Sequence, residues 1–454
     1  MMSTLTAPAP NEASGPITAI EPLSPREARL ERAARVLRWA AISNVLLALL
    51  TGVGVLLAAA QVDPGVFPTL HDVFLSRYVG ASDLALALVI LLLFLNMSAL
   101  LVVMVGVLAR EIWAIPALWL LVLLNVSGVV ALGFAFGAVT AIAAVWAGVI
   151  TGRDLQAFRF NPVMLKELRG RMRGVRAFAV MSVYLTLMST FAMLLYLIYN
   201  SIGRGTGSAA AGELGRVLFV GVVGIELLLI VFIAPAFTAG AITGERERQT
   251  YDLLRTTLLT SPSFVTGKLE SALGYILLLL LAGIPLQSIA FLFGGVSEVE
   301  VLLSFVILMI TAITLGTIGI YFSAVMAKTL RASVRSYSVI LGVMFIVPVV
   351  LSVIISLVRD ILFVQLNVLL SPALEALLDY TEALLTALNP VTTALRTQEL
   401  LVNQQIVGFW RATLSSDGST IPMVSPWITF AIIYLTVSAL LIVLAIRRTR
   451  AVEV

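Results

Sequence analysis

The sequence predicts an all-α, polytopic integral membrane protein with about ten transmembrane helices. Of its 454 residues, 60% are hydrophobic and only 12% are charged, and the mean hydropathy is +1.06. Soluble domains carry about 25% charged residues, so composition alone favours a membrane protein. The apolar residues also form long runs, and a helix needs roughly 20 of them to cross a bilayer.

Eight apolar runs each predict one span. They are Trp39–Ala60, Leu84–Leu108, Ala177–Tyr199, Val217–Ile242, Leu269–Phe293, Val301–Ala327, Tyr337–Val358 and Trp427–Ile446. A ninth run, Ile112–Ile150, would be about 60 Å long as one helix, since each residue adds about 1.5 Å. The glycines and phenylalanines at 133–137 indicate a turn, so we expect two helices here, at about 113–133 and 136–152.

The basic residues support ten spans and predict an orientation. With both termini in the cytoplasm, all but six of the 29 lysines and arginines fall on the cytoplasmic side; the six are Arg77, Arg204, Arg216, Arg359, Arg396 and Arg411. The positive-inside rule expects this asymmetry. We therefore expect a multi-pass protein of the cell inner (plasma) membrane, in contact with the lipid bilayer. Topology then explains the pI near 9.5 without nucleic-acid binding.

The first 155 residues divide into a tail and a first membrane block. Residues 1–23 are rich in Pro, Ala, Ser and Thr and predict a disordered cytoplasmic tail. Ser24-Pro25-Arg26-Glu27 matches a capping box with proline at the first helical position. The amphipathic helix that follows either lies on the inner membrane surface, attracted to anionic lipid, or is a solvated helix that leads into the first span. Residues 24–155 combine this helix with four spans.

Several classes of chemistry find no support in the sequence. The chain has no cysteine and one histidine, His71, which excludes disulfides and argues against a histidine metal cluster or a catalytic triad. A phosphate-binding loop requires G-x-x-x-x-G-K-[ST]. In this chain, however, Leu269 follows the Gly267-Lys268 pair. We therefore expect a protein that is not itself an enzyme and has no cofactor or metal.

The most distinctive segment is the charged stretch 243–268, which lies between two predicted spans. It reads TGERERQTYDLLRTTLLTSPSFVTGK. The residues expected to meet a partner are Glu245, Arg246, Glu247, Arg248, Thr250, Leu253, Leu254 and Leu258. In a short helix, Leu254 and Leu258 would share one face.

The second block, residues 156–454, adds two helical segments to its six spans. The first begins at Asn161-Pro162, a helix-start signal, and predicts a short amphipathic helix at the cytoplasmic interface. Its interface residues are Asn161, Pro162, Lys166, Glu167 and Arg169. The second is the outer segment 359–426, where two helical runs, Ser371–Pro390 and Val391–Trp410, follow one another.

The second block resembles type-2 ATP-binding-cassette (ABC) exporter permeases over about residues 161–454. The likeness rests on the Glu-Arg-Glu-Arg stretch, the Thr-x-x-Leu-Leu run, Ser-Pro and Gly-Lys between the second and third of six spans. It implies a membrane-spanning permease subunit whose segment 243–268 docks on a separate ABC ATPase subunit. It also implies pairing with a second permease copy or a paralogue. Gln249 departs from the family pattern, since glycine often precedes the threonine.

Glu226, an acidic residue inside a predicted span, leaves other functions open. An ionised carboxylate at the centre of a span costs roughly 2.5–3.5 kcal/mol, so we consider Glu226 a candidate for the translocation pathway. Gln287 in the next span is its candidate partner. Glu226 could also serve an ion- or proton-coupled secondary transporter. A membrane-embedded lipid-modifying enzyme is the third alternative, although such an enzyme would need clustered catalytic side chains.

Overall fold

The structure is a computed structural model that describes residues 25–59, 83–154, 158, 160–201, 208–251, 260–361, 372–416 and 418–451. Its first four helices are α1 (Pro25–Ala59), α2 (Asp83–Ala109), α3 (Ala114–Leu132) and α4 (Gly137–Gly152). They pack around a shared apolar core that includes Leu37, Leu100, Leu118 and Ala144. All four of these side chains are almost fully buried.

The turn between α3 and α4 confirms the predicted division of the run 112–150. Gly133 has a φ of +64°, a left-handed conformation that glycine adopts without a steric penalty. After it, the rings of Phe134 and Phe136 pack edge to face, with centroids 6.4 Å apart. α4 has 16 residues and is therefore about 24 Å long, shorter than the other spans.

Of the two predicted alternatives for the start of the chain, α1 differs from the helix on the membrane surface and instead leads directly into the first span. It is one continuous helix of 35 residues, so the amphipathic segment and the first span are not separate elements. Leu30, Ala33 and Leu37 are at most 4% exposed and pack inside the first block rather than on a lipid surface. An apolar helix face can pack on protein or on lipid, and its periodicity does not distinguish the two.

The second block begins with the short helix α5 (Pro162–Met172) and continues with longer ones. They are α6 (Val175–Ser201), α7 (Ser208–Thr238), the five-residue α8 (Thr243–Glu247), α9 (Ser261–Leu292), α10 (Glu298–Val325), α11 (Thr329–Leu341) and α12 (Val347–Asp360). A π-helical turn, Gly342–Ile346, joins α11 to α12. In its most apolar stretch, α10 is 67% buried whereas α6 is only 11% buried. α10 is thus the central helix, and α6 lies at the perimeter.

The outer segment contains the two predicted helices and a hairpin that was not predicted. The elements are α13 (Pro372–Thr386), α14 (Pro390–Gln404), β1 (Phe409–Thr413) and β2 (Thr420–Val424), followed by the last helix α15 (Pro426–Ala451). α14 ends earlier than the predicted Trp410, because the chain turns into antiparallel β1, where Phe409 pairs with Val424.

Glu375 of α13 holds the hairpin turn. Its carboxylate accepts the backbone N–H groups of Ser415 and Ser416, at 2.8 and 3.0 Å. Hydrogen bonds from Ser416 and Ser415 keep the pKa of Glu375 below its usual value. Glu375 is 8% exposed, because α13 packs its carboxylate against this turn.

Ten helical elements correspond to the ten predicted spans. Within the described residues, nine helices are long and apolar enough to cross a membrane, and α4 is a shorter apolar helix. The chain is therefore a multi-pass membrane protein whose fold is all-α apart from the hairpin.

The predicted cytoplasmic segments meet at one end of the bundle. Arg450 of α15 pairs with Glu31 of α1 at 3.2 Å, and Arg110, between α2 and α3, pairs with Glu27 at 3.3 Å. Asp154, which follows α4, accepts a 2.7 Å hydrogen bond from Arg29, and this hydrogen bond lowers the pKa of Asp154. We call this the basic end. The opposite end carries α13, α14 and the hairpin.

Candidate coupling site at the basic end

The charged segment 243–268, called the coupling segment below, begins at a bend between α7 and α8. The central helix α10 holds this bend. The backbone N–H groups of Ile242 and Thr243 both donate to Ser323 Oγ of α10, at 2.9 and 3.1 Å. α7 and α10 approach closely here because residue 319 is glycine, and a Cβ at this position would overlap Thr238 Oγ1. A displacement of α8 would therefore act directly on α10.

A buried lysine joins the coupling segment to the interface helix. Lys268 Nζ donates to Glu245 Oε1 of α8 and to Glu167 Oε1 of α5, each at 2.7 Å, and its side chain is 4% exposed. Removal of one partner from a buried ion pair costs about 3–5 kcal/mol, because a buried charge is left unpaired. α9 starts at Ser261, so Lys268 lies two turns inside this helix rather than in a loop.

Arg246 and Glu247 connect the segment to the corner between α10 and α11. The Arg246 guanidinium donates to the carbonyl oxygens of Met326 and Ala324, at 2.9 and 3.1 Å, and so satisfies the end of α10. Glu247 accepts the backbone N–H of Thr329 at 2.8 Å and its hydroxyl at 2.9 Å, at the start of α11. Both side chains hold these helices together at this corner.

Arg248 and Gln249, which directly follow α8, are exposed. Gln249 has a φ of +58°, a left-handed conformation that favours glycine, which gives a physical reason for the glycine preference at this position. The Thr250 hydroxyl donates to the Glu245 carboxylate and closes the turn. Leu253, Leu254 and Leu258 lie outside the described residues.

The interface helix α5 is anchored by its first residue. Asn161 Oδ1 accepts the Val163 N–H at 3.0 Å, as an N-cap does, and Pro162 occupies the first turn as predicted. Asn161 Nδ2 donates to the Ser263 carbonyl at 2.6 Å. A Cβ on Gly267 would lie 2.6 Å from Asn161 Oδ1, so this glycine allows α5 to approach α9. Lys166 and Arg169 are exposed on α5.

Asn161 also links the two membrane blocks. Its Nδ2 donates to Glu111 Oε1 at 2.8 Å, and Thr266 donates to the same oxygen at 3.1 Å. Glu111 lies between α2 and α3 and is 3% exposed; burial raises the pKa of its carboxyl group, and both hydrogen bonds oppose that rise. The first block is thus attached beside the coupling segment.

Glu226 and its candidate partner Gln287 lie together at the interface of α7 and α9. Gln287 Nε2 donates to Glu226 Oε2 at 2.6 Å, and both side chains are at most 2% exposed. Gly283 allows this approach, because a Cβ there would overlap Glu226 Oε1. Among the described residues, Glu226 Oε1, Gln287 Oε1 and the Tyr184 hydroxyl have no hydrogen-bond partner.

An apolar cavity of about 200 Å³ lies between α7, α10 and α14. Its walls include Val223, Leu227, Leu303, Ile307 and Leu401, and Glu226 does not line it. A buried hydroxyl group, that of Thr397, also lines the cavity and has no hydrogen-bond partner in the described part of the chain. The Glu226 pair is therefore separate from the cavity lining.

Sequence reasoning missed three residues of the coupling site. The sequence identified Lys268 only as part of a Gly-Lys pair. No pattern in the neighbouring residues predicts that it is buried beside two acidic side chains. Ser323 and Glu111 are distant from the segment in sequence, by 80 and 155 residues from Thr243 and Thr266. Only their tertiary contacts identify them.

The fold and this site define a class of protein: a helical integral membrane protein in which a short helix, α8, is held against the central helix at one end. A profile of the ABC-2 family transporter proteins matches residues 162–450. The chain belongs to this family, as the likeness over residues 161–454 predicted, and is a permease component of an ABC transporter. No curated protein matches the chain in a sequence comparison.

Proposed function

We propose that this permease is an exporter subunit that couples ATP hydrolysis by a separate ATPase subunit to substrate translocation. The observation that supports this proposal best is the Lys268 bridge between α8 and α5. A force applied to α8 would reach α5 and α9 through Lys268, α10 through Ser323 and α11 through Glu247. Such a contiguous network is the physical means by which two sites can be coupled.

The contact with the ATPase is proposed for the part of the coupling segment that begins at Arg248. Glu245, Arg246 and Glu247 are held by other parts of the permease, whereas Arg248 is exposed. In the proposed complex, Leu253, Leu254 and Leu258 fill an apolar groove on the partner, and Arg248 forms a charge pair at the rim. The charged residues before them then position this surface.

The basic end faces the cytoplasm in this proposal, and two permease copies, or this chain and a paralogue, form the transporter. The positive-inside rule supports the orientation. Because the chain lacks cysteine, single cysteines at Thr256 and Ser419 can report it. Only Ser419, in the hairpin, should react with an impermeant reagent in intact cells; reaction at Thr256 would reverse the orientation.

The role of Glu226 and Gln287 in the translocation pathway stays a prediction. The family match supports neither the secondary transporter nor the lipid-modifying enzyme.

Co-purification tests the proposed contact. The Leu254→Asp, Leu258→Asp pair should reduce recovery of an ATP-hydrolysing subunit with the tagged permease by tenfold or more, on the order expected for two central interface residues. Membrane insertion should be unchanged, because the segment lies outside the apolar part of the spans. The permease is therefore quantified in the membrane fraction in parallel.

Thr256→Asp provides the matched control for a single Leu254→Asp change. It adds the same charge two residues away, about 200° around a helix. Loss of the ATPase with Leu254→Asp but not with Thr256→Asp supports the proposal. Equal recovery from all variants and from the unmodified permease would leave the segment as a simple connection between two spans.

A further inference from the structure

A basic pocket of about 450 Å³ lies beside the coupling site, where α5 meets α6, α7 and α9. Lys166, Arg171 and Arg173 provide its cationic side, and Ala177, Val180 and Phe237 provide an apolar side. Its volume falls within the roughly 300–1,000 Å³ typical of small-molecule sites. A cationic side next to an apolar side fits an amphiphile with an anionic headgroup.

The positive charge of the pocket is largely uncompensated. Its one carboxylate, Glu167, is held by Lys268 at 2.7 Å. Within the described residues, Lys166 and Arg173 form no ion pair. Arg171 is positioned rather than neutralised: its guanidinium lies 5.2 Å from the centre of the Phe237 ring and donates to the Phe237 carbonyl at 3.3 Å.

The apolar side is held by contacts among its own side chains and lies towards the perimeter of the bundle. Phe237 packs edge to face on Tyr275, with centroids 5.3 Å apart, and the Tyr275 hydroxyl donates to the Ala177 carbonyl at 3.0 Å. α6, which forms one wall, is the least buried of the candidate spans. Phe178 and Val183 on α6 are 72% and 58% exposed. A membrane lipid would therefore lie directly against this wall.

We propose that this pocket binds the phosphate headgroup of an anionic phospholipid from the leaflet at the basic end. Lys166 and Arg173 contact the phosphate, and the acyl chains lie along α6. Basic pockets between transmembrane helices bind such headgroups by this combination of charge and apolar contact. Free phosphate would gain only the charge interaction and leave the apolar side uncovered. This inference does not depend on the proposed ATPase contact.

Native mass spectrometry of the purified full-length permease in neutral detergent tests the proposal. The protein is titrated with phosphatidylglycerol, with phosphatidylcholine and with inorganic phosphate. Phosphatidylglycerol should bind most tightly, and the Lys166→Gln, Arg173→Gln pair should weaken it by about thirtyfold, the combined attraction of two basic side chains for an anionic headgroup. The matched control is Lys328→Gln, Arg331→Gln, which removes one exposed lysine and one exposed arginine elsewhere at the basic end.

Three outcomes would overturn the proposal. Equal weakening by the control pair would mean that binding reflects only the overall charge of this end. Phosphatidylcholine binding as tight as phosphatidylglycerol binding would mean that the headgroup charge is not recognised. Competition by inorganic phosphate at the affinity of the lipid would identify a soluble anion as the ligand. If the double variant is poorly folded, Lys166→Gln alone, on the exposed face of α5, should still weaken lipid binding about fivefold.

Discussion

Two buried polar clusters lie along α9, and they differ in how completely their atoms are hydrogen-bonded. At the basic end, Lys268 has two carboxylate partners at 2.7 Å. Deeper in the bundle, Glu226 and Gln287 share one hydrogen bond, and three polar atoms of that cluster are without a partner among the described residues. The first cluster holds helices in one arrangement. The second would gain hydrogen bonds from a rearrangement, because an unsatisfied buried polar group costs about 1–3 kcal/mol.

The largest expected loss of stability comes from the Lys268 cluster, in which the lysine has two carboxylate partners. Lys268→Met should lower the free energy of unfolding by about 3–5 kcal/mol, because Glu245 and Glu167, whose side chains are only 22% and 26% exposed, would each lose a hydrogen bond to a charged partner. Thermal unfolding in detergent measures the loss. Lys328→Met, on an exposed lysine at the same end, should change stability little. Equal losses of stability in the two variants would mean that the Lys268 bridge does not stabilise the fold.

An intermediate effect is expected at the glycine that permits the second cluster. Gly283→Ala should destabilise by about 1–3 kcal/mol, because the added Cβ overlaps Glu226 Oε1. Gly224→Ala on α7 is the control, since a Cβ there meets no atom within 4 Å. The loss should shrink in the Glu226→Ala background, which a double-mutant cycle measures. An undiminished loss would show that the contact with Glu226 is not its cause.

Substitution of Glu226 itself should separate charge from hydrogen bonding. Glu226→Gln should change stability by less than about 1 kcal/mol, because an amide can keep the bond from Gln287 and also donate to an unpaired oxygen nearby. Glu226→Lys should reduce expression and transport, since it places a cation inside the bundle. Wild-type expression and transport with lysine would contradict both the buried-cluster interpretation and the predicted pathway role.

The smallest change in stability is expected at Gln249, two residues after the end of α8. Gln249→Gly should stabilise by up to about 1 kcal/mol, because glycine adopts the positive φ of this position without strain. Arg248→Gly next to it, where φ is −85°, should instead destabilise by about 0.5–1 kcal/mol. Thermal unfolding of the two variants compares the signs of the changes. The same sign for both would exclude backbone strain at Gln249 as the cause.

The spans could be predicted because apolar run length and charge sorting are local properties of the sequence. The nine apolar runs, the turn at Gly133 and the helix start at Asn161 all depend on neighbouring residues alone. The Lys268 bridge, the Ser323 contact and the burial of α1 depend on which helices pack against each other. The hydrophobic periodicity of a single helix does not identify its neighbours. The hairpin was missed because its strands have five residues each and follow a strongly helical pattern.

The structure also changes how the coupling hypothesis is best tested. Reversal of Glu245 and Glu247 to lysine would break the Lys268 bridge and the contact with Thr329, so it would disturb the permease itself. Positions that are exposed or that lie outside this network are the better probes. Arg248 is exposed and meets that condition within the segment, Leu254 tests the proposed apolar contact, and the exposed Ser419 at the opposite end provides a control position.

Photocrosslinking from single cysteines tests the central claim most directly. The cysteine-free chain allows a cysteine-linked crosslinker at Arg248, Leu254 or Ser419, one at a time, in native membranes. Positions 248 and 254 should each give an adduct with an ATP-binding subunit, identified by mass spectrometry, and position 419 should give none. An ATPase adduct from position 419, or none from positions 248 and 254 while the permease is correctly inserted, would contradict the assignment of segment 243–268 as the coupling segment.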